Sequence, residues 1–266
     1  METGLWKKTL APYELAVEEL TAKFRHVIKE YHIRNDYSPI ERVTGRVKSV
    51  SSILDKMHRK NIPLEQLEEK IDDIAGIRII CQFEEDIYKV SNLISRRSDM
   101  VVKEKKDYLT HVKESGYRSY HVVVYYVVET LRGPKQIMAE IQIRTMAMNF
   151  WATIEHSLQY KYRGEIPPNV TQRLSAASRT IIDLDSEMSS VRDVIIDAQN
   201  SSLLQNNLVR DILMTIENLY KVTTEREVKK IQDEFLRIFK MNDLDELERF
   251  HRELDIIAEG YRVQQV

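Results

Sequence analysis

The segment from Gln136 to His156, Q-I-M-A-E-I-Q-I-R-T-M-A-M-N-F-W-A-T-I-E-H, constrains the fold most, because its periodicity changes midway. In the first half Ile137, Ala139, Ile141 and Ile143 alternate with Met138, Glu140, Gln142 and Arg144. A side-chain period of two predicts a strand with an apolar underside and a polar upper face, on which Glu140, Gln142 and Arg144 stand in a row. An acid, an amide and a permanent cation so aligned suit a polyphosphate and its metal. They also suit an ordinary solvent-facing strand, since polar outer faces are common. In the second half Met146, Phe150, Ile154 and Leu158 recur every four residues. That spacing predicts a helix with this stripe in the core and Asn149, Glu155 and His156 beside it.

Composition sets the bounds around this element. A chain of 266 residues, 42% hydrophobic, can bury one sizeable core or a core plus an appendage. Only 7 Gly and 6 Pro argue against a turn-rich β-sandwich and against disorder. Cys81 is the single cysteine, which excludes an internal disulfide and a cysteine zinc cluster and suits a reducing cytoplasm. No apolar run approaches the ~20 residues needed to span a bilayer, so no membrane partner is expected. A net charge of −2 advertises no global attraction for nucleic acid.

Upstream, Tyr13, Val17, Leu20, Phe24, Val27 and Tyr31 repeat with heptad-like spacing and predict a long N-terminal helix over 10–31. Thr44 is placed to cap a second helix whose buried stripe is Val47, Val50, Leu54 and Met57. The other face of that helix carries Lys48, Ser52, Lys56 and Arg59, with Arg46 just ahead; a solvated basic face is the plainer reading. The run after Gly76 is apolar and β-branched and predicts a buried strand interrupted by Arg78. A buried arginine needs a partner, and Asp72 and Asp73 could be that partner or could hold a metal. A helix over 84–97, a strand over 100–108 ending in Lys103, Lys105 and Lys106, and a loop over 110–119 turning at Gly116 follow. The strand from His121 to Val128 then folds back through Arg132-Gly133-Pro134 into an antiparallel hairpin. From Val170 onward the chain reads as helical. Val170, Leu174, Ala177, Ile181, Leu184, Met188, Val191 and Ile195 form a heptad seam, and polar 199–207 reads as a break before further amphipathic helices.

None of the G-x-x-x-x-G-K-[ST], G-x-G-x-x-G, H-E-x-x-H and G-x-S-x-G motifs occurs. If a nucleotide binds, side chains must hold it. Arg46, Lys48, Lys56, Arg59, Arg78, Lys106, Lys113 and Arg144 are the cations available, and Asp73 and Glu140 could share a Mg²⁺. Tyr117, in a glycine-containing loop, could stack on a base.

E-I-Q-I-R-T followed by N-F-W-A-T-I-E-H, preceded by G-Y-R-S-Y-H, D-I-A-G-I-R-I and S-P-I-E-R-V-T-G-R-V-K-S, resembles the synthetase domain of the RelA/SpoT homologue superfamily, and in particular its small alarmone synthetases. The resemblance runs from about Trp6 to Asp197, so a synthetase domain is expected over 1–200 and a helical extension of unknown role over 201–266. It implies an α+β fold: a nucleotidyltransferase-like mixed sheet flanked by helices, with long N- and C-terminal helices. It also implies transfer of the β,γ-pyrophosphate of ATP to the 3′-hydroxyl of GDP or GTP. Carried over by position, Arg46, Lys48, Ser52, Lys56, Arg59 and Arg78 match the ATP site, with Arg78 stacking on adenine. Asp73 matches a Mg²⁺ ligand, and Glu140 matches the residue that binds Mg²⁺ and takes the 3′-hydroxyl proton. Lys113, Tyr117, His121, Gln142, Asn149 and Glu155 match the acceptor site, with Tyr117 on guanine. Lys106 and Arg144 join that group, Lys106 standing where arginine is frequent and lacking the bidentate fork. The hydrolase His-Asp motifs of longer relatives are absent, so synthesis without hydrolysis is expected.

The resemblance further implies a homotetramer through the two heptad-patterned helices, and single-stranded RNA as a secondary partner. An allosteric alarmone site would map to Thr21, Arg25, Glu41 and Arg42. Thr21 and Arg42 depart from the lysine and the aromatic residue of activated relatives, so little or no activation by pppGpp is expected. Two other readings compete. One is a template-independent nucleotidyltransferase, against which the missing Gly-Ser and Asp-x-Asp pair counts. The other is a non-catalytic RNA or nucleotide binder, against which the near-neutral charge and the acid pair count.

Overall fold

The structure is a computed structural model that describes residues 2–111, 113–161 and 168–263. Compact unit 1 spans Met1–Ser189 and unit 2 spans Ser190–Val266. Unit 1 is built on a five-stranded mixed sheet of order β1-β2-β5-β4-β3, from β1 (Arg42–Val47), β2 (Ala75–Cys81), β3 (Val101–Asp107), β4 (Tyr120–Thr130) and β5 (Gly133–Thr145). β2 and β5 pair parallel and the other neighbours antiparallel. The alternating segment is thus the central strand, and β4–β5 is the expected hairpin, with Gly133 supplying the positive φ of its turn.

Ile137, Ala139, Ile141 and Ile143 are all buried on the underside, together with Ile77, Ile79, Val122 and Val124. Each fully buried aliphatic side chain of this layer contributes about 1.5–3 kcal/mol. The layer is covered by α1 (Glu2–Ile33) and α4 (Glu84–Ser95). Tyr13, Val17, Leu20, Phe24 and Val27 form the inner face of α1, as the heptad spacing predicts. α1 approaches the sheet closely at Gly45 of β1: a Cβ there would stand 2.5 Å from Thr21 Oγ1 and 2.6 Å from Val17 Cγ1.

α2 (Val50–Lys60) departs from expectation. Thr44 lies within β1, and the cap is Ser49, whose side chain accepts from the backbone N–H of Ser52. A polar residue caps only where the chain leaves extended geometry, and β1 continues through Thr44. The buried positions are Ile53 and Met57, while Leu54 is exposed. Starting the helix after Ser49 rotates the inward stripe. Arg46 and Lys48 consequently precede the helix instead of riding on it.

A 3-10 turn (Leu64–Gln66) and α3 (Leu67–Lys70) lead into β2. α5 (Met146–Lys161) follows β5 directly, but with the opposite face inward. Met148, Trp151 and Ala152 are buried, whereas Met146, Phe150 and Ile154 are exposed. Trp151 decides the orientation, because its ring is buried and its indole N–H donates to the Leu174 carbonyl at 3.0 Å.

α6 (Pro168–Leu219) is one continuous helix, so the break expected over 199–207 is absent. Ser, Gln and Asn lower helix propensity by well under about 1 kcal/mol each, and that stretch holds no Gly or Pro. In unit 1 the inward face of α6 is polar: Ser178 donates to the Gly116 carbonyl, and Asp185 accepts from Thr145 Oγ1 at 2.8 Å. The heptad seam is instead largely exposed at Leu184 and Met188. In unit 2, α6 joins α7 (Glu225–Met241) and α8 (Leu244–Val263) around Ile212, Ile216, Val228, Phe235, Ile238, Leu247 and Leu254. No helix among the described residues is long and apolar enough to cross a membrane.

Gly45→Ala should cost about 1–3 kcal/mol in urea denaturation, the usual penalty of overpacking; an unchanged midpoint would show that α1 yields freely. Asp185 gives a pH prediction. Burial pushes its carboxyl up from 3.8 to about 6, with Glu84 adding to the rise and the Thr145 hydroxyl opposing it. The folded state therefore holds more protons than the unfolded one between these values, and stability declines as pH rises through that window. Asp185→Asn should raise the melting temperature near pH 7 and leave it little changed near pH 3.5. Equal shifts at both pH values would contradict the assignment.

Candidate active site

Residues paired across a sheet point to the same side, so the register writes out the upper face. One row runs Thr44–Arg78–Gln142–His121–Lys106, and the next runs Arg46–Gly76–Glu140–Val123–Glu104. Gly76 places no side chain between Arg46 and Glu140, and a cavity of about 280 Å³ opens over it. Arg46, Lys48, Asp73, Arg78, Glu140 and Gln142 line that cavity. Asp73, from the loop before β2, and Glu140, from the middle of β5, thus face one space.

The charges are arranged as a ladder. Asp73 accepts from Lys48 Nζ at 2.7 Å and from Lys56 Nζ at 2.8 Å. Lys56 also reaches Asp72 at 3.2 Å, and Asp72 in turn reaches Lys106 at 3.2 Å. Burial works to raise the Asp73 carboxyl, but the two lysine ammonium groups outweigh it and hold the acid below its usual range. Asp72 is held down to about 2 by Lys56 and Lys106 against the same burial. The two aspartates are therefore partners of lysines and not of Arg78. Arg78 Nε is buried without a hydrogen-bond partner among the described residues. Burial, with Arg144 and Arg46 close by, lowers its guanidinium pKa. A cation so placed lacks an anion.

Beside the ladder is a ring of hydrogen bonds. Gln142 Nε2 donates to Glu140 Oε2 at 2.7 Å, and Arg144 Nη2 donates to Gln142 Oε1 at 3.0 Å and to the Tyr117 hydroxyl. His121 Nδ1 lies 3.0 Å from Glu140 Oε1, and its Nε2 lies 2.9 Å from the Tyr117 hydroxyl. An ionised carboxylate only accepts, so Nδ1–H of His121 donates to Glu140. Burial and the nearby Asp73 push the Glu140 carboxyl up, but His121 and Gln142 outweigh them and keep it below the usual glutamate range. Lys113 Nζ stands 4.9 Å over the Tyr117 ring, and the Arg144 guanidinium 5.0 Å from it.

Arg46, Lys48, Lys56, Arg78, Asp73, Glu140, Gln142, Arg144, His121, Tyr117, Lys113 and Lys106 are thus joined through this cavity, ladder and ring. Ser52 and Arg59 on α2 and Asn149 and Glu155 on α5 are not among the residues lining the cavity. Asn149 Oδ1 is nevertheless buried without a partner among the described residues. Of the expected allosteric positions, Thr21 is buried under Gly45, Arg25 donates to the Val43 carbonyl at 3.5 Å, Glu41 accepts from Gln82, and Arg42 is exposed on β1. Gly76, Thr44 and Tyr108 escaped the sequence reading. Tyr108 packs edge-on against His121 at 5.1 Å and takes Lys113 over its ring at 4.5 Å. Strand pairing reveals Gly76 and Thr44, and ring packing reveals Tyr108; neither is displayed by the sequence alone.

In chemical terms this face can grip a polyphosphate with side chains alone and offer a hydrogen-bonded carboxylate to a proton. Comparisons with known proteins carry the assignment further. The family described as "Region found in RelA / SpoT proteins" matches residues 45–165. GTP pyrophosphokinase YjbM of Bacillus subtilis is 52% identical over 199 residues, which cover 75% of this chain and 94% of that protein. GTP pyrophosphokinase YwaC of the same organism is 39% identical over 189 residues, covering 70% of this chain and 90% of its own. The crystal structure of small alarmone synthetase 1 from Bacillus subtilis bound to its product pppGpp superposes with a TM-score of 0.70 at 52% identity, over 72% of this chain and 98% of that one. The chain belongs to the RelA/SpoT family, among its small alarmone synthetases.

Proposed function

We propose that this protein is a (p)ppGpp synthetase that moves the β,γ-diphosphate of ATP to the 3′-hydroxyl of GDP or GTP and releases AMP. The observation that carries the residue assignment is the convergence of Asp73 and Glu140 on one basic cavity. In the reaction the 3′-oxygen bonds to the β-phosphorus, the bond from that phosphorus to the α,β-bridging oxygen breaks, and AMP leaves with the electron pair. Such transfers demand positioning and charge neutralisation more than covalent help.

Arg46, Lys48, Lys56 and Arg78 are assigned to ATP, with the Arg78 guanidinium stacked on adenine. The phosphates take over the lysine N–H groups that Asp73 now occupies. Tyr117 covers the guanine, replacing the cations that face its ring, and Lys106, Lys113, His121 and Arg144 surround the acceptor. Glu140 accepts the 3′-hydroxyl proton; His121 and Gln142 hold its two oxygens in place. Ser52, Arg59, Asn149 and Glu155 complete the two sets on α2 and α5. Asn149, with a buried oxygen awaiting a donor, is suited to the acceptor.

The donor set fits Mg²⁺. That ion takes one or two carboxylates and completes its shell with phosphate oxygens and water. Asp73 and Glu140 are both held ionised and line one cavity. Among the described residues no group of three or more His, Cys, Asp or Glu converges, which matches an ion shared with substrate. Bound there, Mg²⁺ would neutralise charge on the transferred phosphates.

A homotetramer is the second part of the proposal. Of the two heptad seams expected to associate, that of α1 is buried against the sheet and so is not available; the exposed Leu184 and Met188 on α6 remain, joined by Met146, Phe150 and Ile154 on α5. Light scattering should return the mass of four chains; a monomer mass would remove this part.

Glu140→Gln tests the reaction. The amide keeps size and hydrogen bonds but cannot take the proton, so kcat should fall by at least about 100-fold with folding intact. A rate within a few fold of wild type would refute the role.

A further inference from the structure

We infer that Asp72 is a positioning residue that holds Lys56 and Lys106 side by side, so that both grip the diphosphate while it changes carrier. The inference rests on the transfer reaction proposed above. Lys56 comes from α2, which follows the edge strand β1; Lys106 comes from β3, the opposite edge of the sheet. Asp72 Oδ1 accepts from Lys56 Nζ and Oδ2 from Lys106 Nζ, each at 3.2 Å. The two oxygens share one carbon, so the ammonium groups cannot drift apart while both bonds last. None of Asp72, Lys56 and Lys106 lines the cavity itself; Lys56 reaches its wall through Asp73. Asp72 acts through the lysines and has no direct part in the chemistry.

Counting donors shows what remains free. An ammonium has three N–H groups. Lys56 spends one on Asp72 and one on Asp73 at 2.8 Å. Lys106 spends one on Asp72 and forms an ion pair with Glu104 at 3.1 Å. Once the phosphates displace Asp73, the bond to Asp72 is the one that still orients Lys56, and both lysines have N–H groups left to offer. A phosphate between them can accept from both. Lys56 belongs to the ATP set and Lys106 to the acceptor set, so Asp72 touches one member of each. The diphosphate begins on the first nucleotide and ends on the second, and a pair of cations locked to each other can stay with it throughout.

The sign of the effect separates this role from the obvious rival. A carboxylate beside a polyphosphate repels it. If Asp72 merely competed for the lysines, removing its charge would tighten nucleotide binding and leave turnover alone. If it positions them, removing the charge lowers turnover without weakening binding.

The test is steady-state synthesis by the full chain carrying Asp72→Asn, which keeps the shape but cannot accept from two cations with both atoms. The side chain is 22% exposed and outside the apolar core, so the fold should survive the change. We expect kcat to fall about 10- to 100-fold, as for reacting groups displaced by a fraction of an ångström. The KM values for ATP and for the acceptor should stay level or fall. Asp72→Glu, which retains both oxygens, should recover most of the rate. Lys106→Met and the double variant Asp72→Asn/Lys106→Met should be equally slow, because a clamp with one jaw missing holds nothing. Unchanged kcat with a lower KM, a raised KM with intact kcat, or multiplying losses in the double variant would each overturn the inference. A wild-type chain that moves no diphosphate would instead overturn the reaction itself.

Discussion

β2 and β5 run parallel, and their register sets Gly76 beside Glu140 and Arg78 beside Gln142. Because side chains alternate along a strand, a slip of one residue would send Glu140, Gln142 and Arg144 into the apolar layer and bring Ile141 and Ile143 out. Burial of Ile77, Ile79, Ile141 and Ile143 beneath α1 and α4 forbids that slip. The hydrophobic underside therefore specifies the chemistry of the upper face. The same pairing opens the cavity, since the residue facing Glu140 is the one without a side chain.

Electrostatics then makes this face receptive to anions. Lys48 and Lys56 keep Asp73 ionised, and His121 and Gln142 do the same for Glu140. Burial, then the nearby Arg144 and Arg46, disfavour the charge on Arg78, and Arg78 Nε has no partner among the described residues. Leaving a buried donor unpaired costs about 1–3 kcal/mol. An acceptor oxygen placed on Arg78 Nε would relieve that cost.

Much of this was legible in the chain. The change from period two to period four around Thr145 placed β5 and α5. The isolated Arg78 in an apolar run stood out, and it lines the cavity; the row Glu140–Gln142–Arg144 stands as alternation requires. What escaped depends on long-range partners. Asp72 and Asp73 looked like partners for nearby Arg78, but Lys48, Lys56 and Lys106 arrive from other elements. The apolar stripe of α5 points out because Trp151 and its bond to Leu174 set the rotation, which no periodicity encodes. The seam of α6 was correctly seen as apolar, yet the inward face in unit 1 is a set of hydrogen-bonding residues at Ser178, Asp185 and Ser189.

The account stands on the identity of the group transferred. Incubating the purified chain with GDP, Mg²⁺ and ATP labelled in its β-phosphate, and resolving the nucleotides, measures it directly. The label should appear on a guanosine nucleotide in step with unlabelled AMP. Label released as free pyrophosphate, with the adenylate moiety transferred, would mark a nucleotidyl transfer and contradict the assignment of both carboxylates.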